Sequence, residues 1–330
     1  MTTRRGVAIG CGGLLGFAWT AVALDAVERA LNWDIRTADV LIGTSAGAEL
    51  VAALGSGRSP ADLLAALDAS PDADPVLAAH VAVDPGRFPP IPRLGFPGLG
   101  LVGAGLRARS PYTALAGLLP RGGGDAEWLR SLGHALADRN GWVSHPATWI
   151  VGADAATGAR VAFGANDTRI ATAGTSVAAG AKAVDLGDAI AASWAIPGWF
   201  PPVRIGGRNY VDGGSVSSVS ADLLVPLDLD EVVVIAPMTS EGGAPATGLN
   251  RVERLLRAQM TRGLDREVAL LRAAGTRVIR VEPGPEELAA MGPNFMDSAR
   301  RPATIAAARH NVAAQVAEAL RASTLAGRPA

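Results

Sequence analysis

The residues best suited to chemistry in this chain are Gly43-Thr44-Ser45-Ala46-Gly47, a G-x-S-x-G pentapeptide. Val40-Leu41-Ile42 before it reads as a buried strand, and Ala46 to Leu54 after it reads as a helix. A sharp strand-to-helix turn in that setting lifts the Ser45 hydroxyl above a sheet, with Gly43 and Gly47 leaving room for the turn. The helix N-terminus then favours negative charge beside the hydroxyl. A second glycine-rich stretch, Gly10-Cys11-Gly12-Gly13-Leu14-Leu15-Gly16, lies earlier at the end of another short strand. Consecutive glycines there can expose backbone N–H groups to an oxyanion or to a phosphate. A dinucleotide fingerprint counted from Gly10 needs glycine where Leu15 stands, and the Gly-Lys-Ser/Thr of a P-loop is missing. Phosphate is therefore disfavoured as the ligand of this loop. A nucleophilic serine also needs a base. The four histidines, His80, His134, His145 and His310, sit in ordinary contexts, His145 before Pro146 and His310 inside the last helix. Asp212, in Asn209-Tyr210-Val211-Asp212-Gly213-Gly214, ends a hairpin strand where two glycines let the backbone fold back on a partner. Asp-Gly-Gly by itself is more often a turn than a site.

These groups need a frame. Val7 to Ile9 reads as a strand, Phe17 to Leu31 as a helix, then come the strand and helix around Ser45, which together make a βαβ start. In a right-handed βαβ unit the two strands are parallel, so the loops leaving Ile9 and Ile42 emerge at one sheet edge and bring Gly12, Gly13 and Ser45 together. Residues 6–24 carry no charge and follow Arg4 and Arg5, the pattern of a targeting or membrane segment. Five glycines at 6, 10, 12, 13 and 16 argue against a helix there, so strand, loop and helix is preferred. Ser59-Pro60-Ala61-Asp62 opens a further helix. Hairpins are expected from Thr148 to Phe163 around Asp154–Gly158, and from Val203 to Val211 around Gly206-Gly207. Glu231 to Ala236 and Arg277 to Val281 read as strands, Asn250 to Ala274 and Ala303 to Ala322 as helices.

Composition narrows the function classes. The 330 residues, 49% hydrophobic and 18% charged, suit a globular chain able to bury its own core. The net charge of -1 offers no field for nucleic acid. The single cysteine, Cys11, allows neither an internal disulfide nor a cysteine-based zinc site, and fits a reducing, cytoplasmic setting. No metal or other cofactor is expected. Residues 84–124 form an insertion rich in Gly and Pro. Its stretch from Phe88 to Leu119, with Leu94, Phe96, Leu99, Leu101, Val102 and Leu106, is expected to form an apolar, irregular cover over the site. Leu99 and Leu101 are expected to set acyl-chain preference.

Taken together, the glycine loop, Gly43–Gly47, the stretch Ala192-Ser193-Trp194-Ala195-Ile196-Pro197-Gly198-Trp199-Phe200-Pro201-Pro202 and Tyr210–Gly214 stand in an order and spacing that resembles the patatin-like phospholipases. The resemblance covers roughly residues 6–237. It implies a three-layer α/β/α sandwich with a mainly parallel central sheet, and a lipid acyl hydrolase using a Ser–Asp dyad without histidine. Ser45 would be the nucleophile, Asp212 the base, and the Gly12 and Gly13 amides the oxyanion hole. Gly16, Gly43, Gly47, Gly213 and Gly214 would support these motifs. Residues 238–330 are expected to form a helix-strand-helix extension packed on the 6–237 catalytic domain. A lipid or acyl ester is the expected partner, with peripheral contact to a membrane. Two departures stand out: Leu15 occupies a position that is usually Arg or Lys, and Ser217-Ser218-Val219-Ser220 follows Asp-Gly-Gly where Asn and Pro are common. Two other readings are a catalytically weak lipid-binding relative on the same fold and an α/β-hydrolase with a Ser45, Asp212 and His310 triad.

Overall fold

Alternation of side chains along four strands divides the core into two. In β1 (Arg5–Ile9) Val7 and Ile9 join one apolar cluster and Ala8 the other; in β2 (Val40–Thr44) Leu41 faces one way and Val40 and Ile42 the other. β8 (Glu231–Ile235) and β9 (Arg277–Val281) divide in the same manner, Val233, Ile235, Ile279 and Val281 against Val232, Val234 and Val278. Strands that bury both faces suit the interior of a parallel sheet covered by helices on each side. The computed structural model describes residues 3–92, 95, 98–166, 175–177, 184–248 and 250–326.

The remaining strands are β3 (Thr148–Asp154), β4 (Arg160–Phe163), β5 (Thr175–Val177), β6 (Val203–Ile205) and β7 (Arg208–Asp212). Among the described residues they form one mixed sheet in the order β5-β4-β3-β2-β1-β8-β9. The run β3-β2-β1-β8-β9 is parallel throughout, with Ile9 opposite both Gly43 and Ile235. β4 is antiparallel to β3, and β7 is antiparallel to both β3 and β6, with Asp212 opposite Gly152. After residue 237 the chain supplies the edge strand β9.

The helices are α1 (Gly13–Leu31), α2 (Ala46–Gly55), α3 (Pro60–Leu67), α4 (Pro75–Val81), α5 (Leu99–Ala108), α6 (Pro111–Leu118), α7 (Glu127–Leu136), α8 (Leu186–Ser193), α9 (Asn250–Ala273), α10 (Pro285–Met291) and α11 (Arg301–Ala326). Buried residues of α1, α2, α8 and α11 share the first cluster, whereas Leu264, Val268 and Leu271 of α9 share the second. The sheet is thus sandwiched between helical layers. α3 starts as its sequence requires: the Ser59 hydroxyl accepts the Asp62 N–H at 3.2 Å and the Asp62 carboxylate accepts the Ser59 N–H at 2.7 Å. No helix among the described residues is long and apolar enough to cross a membrane.

Two expectations need correction. α1 begins at Gly13, four residues before Phe17, so part of the glycine stretch is helix. The segment from Phe88 to Leu119 contains two regular helices, α5 and α6, packed against each other. Their glycines are contact points: a Cβ on Gly105 would lie 2.3 Å from Ala114 N. Leu101 is fully buried with Ala153, Ala155 and Val211, while Leu99 is 73% exposed. Neither borders the cavity at Ser45. Leu94 and Phe96 lie outside the described residues.

Candidate active site

Ser45 stands between β2 and α2 with φ 56° and ψ −119°, a backbone that a non-glycine residue adopts only when its surroundings enforce it. The enforcement is steric on both sides. A Cβ on Gly43 would lie 2.2 Å from the Gly47 carbonyl oxygen, and one on Gly47 would lie 2.2 Å from that of Ile9. The turn is therefore pressed against the end of β1. Ser193, fully buried at the end of α8, ties it from the side. Its hydroxyl accepts the Ser45 N–H at 2.8 Å and donates to the Val151 carbonyl at 2.6 Å. Ser193 belongs to the 192–202 stretch that carries the resemblance, but the sequence alone assigns it no role.

Asp212 reaches Ser45 from the opposite direction. It is the last residue of β7, its N–H donates to the Ala195 carbonyl at 3.0 Å, and it is 5% exposed. Its carboxylate accepts the Gly214 N–H at 2.7 Å, and Ser45 shares a cavity with it. Burial raises its pKa from 3.8 to about 7, and the Gly214 N–H and the neighbouring Ser45 hydroxyl oppose the rise. Gly213 packs on the Val151 carbonyl, and Gly214 lies beside Cys11.

The glycine loop closes the third side. Gly12 caps α1 and Gly13 is its first residue, so neither amide has a helix carbonyl one turn behind it to bond. Gly13 has φ +56°, and a Cβ there would lie 2.5 Å from the Phe295 ring. Gly16 rests against Pro237. Leu15, where the resemblance leads one to expect a cation, is completely buried in the core, and its N–H donates to the Phe295 carbonyl at 3.1 Å. Backbone bonding thus anchors the loop, together with the Cys11 N–H on the Ser218 carbonyl at 2.8 Å. Burial and the nearby Asp212 carboxylate push the Cys11 thiol far up, keeping it neutral.

The serine-rich stretch after Asp212 has its own anchor, Glu267 of α9. Its carboxylate accepts the Ser217 hydroxyl and, at 2.8 Å, the Ala221 N–H. Burial raises the Glu267 pKa, and repulsion from Asp222 adds to the rise. Sequence reading gives Glu267 no such role, because it lies 55 positions from Asp212 on a helix that looks merely amphipathic.

Ser45, Asp212, Gly12 and Gly13 share a cavity of about 40 Å³. Its other walls include Tyr112 of α6, Ile196, Met238, Leu256 and Met260 of α9, and Phe295. Among the described residues of the expected cover, Tyr112 alone borders it. The histidines are elsewhere. His80 Nε2 is 2.5 Å from a Glu49 carboxylate oxygen in the core, His134 pairs with Asp185 at 3.0 Å, and His145 Nε2 is 2.8 Å from the Ala38 carbonyl oxygen. His310 is exposed on α11 and does not border the cavity, so the triad reading is not met. Among the described residues no three His, Cys, Asp or Glu side chains gather as metal ligands would.

A serine hydroxyl, a buried carboxylate and the positive ends of two helices at one point are the kind of groups acyl transfer uses. The model of the family described as patatin-like phospholipase matches residues 7–225, about two thirds of the chain. No curated protein matches the chain.

Proposed function

We infer that this chain, which belongs to the patatin-like phospholipase family, is a lipid acyl hydrolase in which Ser45 is the nucleophile and Asp212 its base. The meeting of Ser45, the buried Asp212 carboxylate, Gly12 and Gly13 around one cavity carries the reading. An ordinary aspartate with a pKa near 3.9 is a weak base at neutral pH. A pKa of about 7 suits the task much better. Ser45 Oγ attacks the ester carbonyl carbon as its proton passes to Asp212. The tetrahedral oxyanion accepts the Gly12 and Gly13 N–H groups at the head of α1, where the helix dipole adds to their pull. Collapse breaks the carbonyl–alkoxy bond, and Asp212 gives its proton to the departing alcohol. Water then attacks the acyl-serine, with Asp212 again taking the proton and returning it to Ser45 Oγ as the fatty acid leaves.

The test is hydrolysis of p-nitrophenyl esters together with labelling by a fluorophosphonate. Ser45→Ala is expected to lower kcat by about 10⁴ or more and to abolish labelling. A labelled peptide containing a different serine would overturn the assignment.

A further inference from the structure

A cavity of about 40 Å³ holds little more than a water molecule, so both arms of an ester must find room beyond it. The adjoining cavity offers about 590 Å³, and Tyr112, Gly214 and Met260 line both. These three residues form the partition between the dyad and the larger space. Apolar side chains such as Ala104, Val216, Met260 and Leu270 share the lining of the larger cavity with charged ones. Ser217, the half-buried pair Arg160 and Asp222, and the buried Glu267 line it. Arg160 holds Asp222 through two bonds of 2.6 Å and stands 3.7 Å from Glu267. Methylene groups seated against these charged side chains would strip water from polar atoms without replacing its hydrogen bonds.

Two further cations line the same cavity, Arg107 of α5 and Arg266 of α9, both exposed. Arg107 donates to the Thr157 carbonyl at 3.5 Å and Arg266 to the Arg262 carbonyl at 3.1 Å. Among the described residues neither guanidinium has a carboxylate within ion-pairing distance. Arg107, Arg160 and Arg266 outnumber the carboxylates of Asp222 and Glu267, so the cavity keeps net positive charge. The planar donor fork of arginine matches phosphate oxygens in pairs. We propose that this cavity is the leaving-group subsite and that Arg107 and Arg266 select acyl esters whose alcohol carries a net-negative phosphate head group. The inference rests on the hydrolase reading above, which supplies the reaction whose alcohol it seats.

The test compares dihexanoyl phosphatidylglycerol with dihexanoyl phosphatidylcholine, each below its micelle concentration so that no lipid surface contributes. Wild type is expected to favour the glycerol head group by about tenfold in kcat/KM, the scale of one net charge-assisted contact. Arg107→Gln and Arg266→Gln should each lower that ratio and the double substitution should bring it near one, mainly through KM. Arg251→Gln, an arginine on α9 outside this cavity, should leave the ratio alone. Inorganic phosphate should compete with the phosphatidylglycerol. Phosphate that instead accelerates cleavage of the choline lipid would mark a free-anion effector site and overturn the assignment. A wild-type ratio near one with both lipids cleaved, or a double variant that keeps the wild-type ratio, would also overturn it. Should wild type cleave no ester and leave Ser45 unlabelled, the hydrolase reading falls and the subsite falls with it.

Discussion

Replacing Asp212 with asparagine should make the protein more stable at neutral and alkaline pH while removing most of its activity. The carboxyl group titrates at about 7 in the folded chain, against 3.8 when solvated. Below about pH 4 it is protonated in both folded and unfolded states and contributes nothing to the pH dependence. Between about pH 4 and 7 the unfolded chain has released this proton and the folded chain still holds it. Each pH unit upward across that window therefore removes about 1.4 kcal/mol of stability, about 4 kcal/mol in all, and above pH 7 the loss stays constant. The asparagine side chain cannot ionise and has nearly the same shape, so the Asp212→Asn variant lacks this loss while sharing every other titrating group. Urea unfolding of both proteins at intervals from pH 4 to 9 measures the difference directly. The two stability curves should separate as pH rises and run parallel above pH 7. In the same buffers, wild-type kcat/KM for a soluble ester should rise with pH and level off above about 7, because the base works only once deprotonated. A stability difference that is constant with pH, or one that narrows as pH rises, would refute the buried-carboxylate argument even if Asp212→Asn were inactive.

Gly13→Ala places a Cβ 2.5 Å from the Phe295 ring at a positive φ and should shift the oxyanion donors. A loss of about a hundredfold in kcat with a much smaller change in KM is expected in ester kinetics. Ser193→Ala leaves the Ser45 N–H and the Val151 carbonyl without their shared partner, which should cost about 2 kcal/mol in urea unfolding and lower kcat by loosening the turn. Leu101→Ser, in the core, should cost about 3 kcal/mol, whereas Leu99→Ser should stay within about 0.5 kcal/mol; equal effects in thermal melts would contradict their placement.

The parts of the site that are legible in the sequence are those fixed by short-range sterics. Gly43 and Gly47 are dictated by the turn around Ser45, so the pattern and the structure coincide, and the parallel βαβ argument correctly brings Gly12, Gly13 and Ser45 together. The start of α1 falls earlier than the sequence suggests because glycine disfavours helix locally, while tertiary packing overrides that preference: Gly12 and Gly16 both abut the Pro237 ring. The glycines between residues 98 and 117 read as marks of irregular chain, yet in the fold Gly105 and Gly117 let α5 and α6 approach, and Gly98 and Gly100 let the segment lie against Ala155 and Ala156. Met238, Leu256, Met260 and Phe295 are invisible as cavity walls because nothing in their immediate neighbourhood encodes it. Their position follows from how α9 and the 295 segment lie across the sheet edge.

The pairing of β7 with β3 has a consequence for how this protein can change. Because Asp212 stands opposite Gly152, the distance between the two halves of the dyad is set in whole-residue steps. Shifting β7 by a single position would turn the carboxylate to the other face of the sheet, so no gradual series connects a working dyad to a misaligned one. Insertions and deletions in lineages that keep the dyad should therefore be absent from β7 itself and gather at the Gly206-Gly207 tip, where a side chain would meet nothing within 4 Å. The same tip is the natural place to graft a peptide tag or open the chain for circular permutation, since length added there leaves the alignment of acid and alcohol untouched.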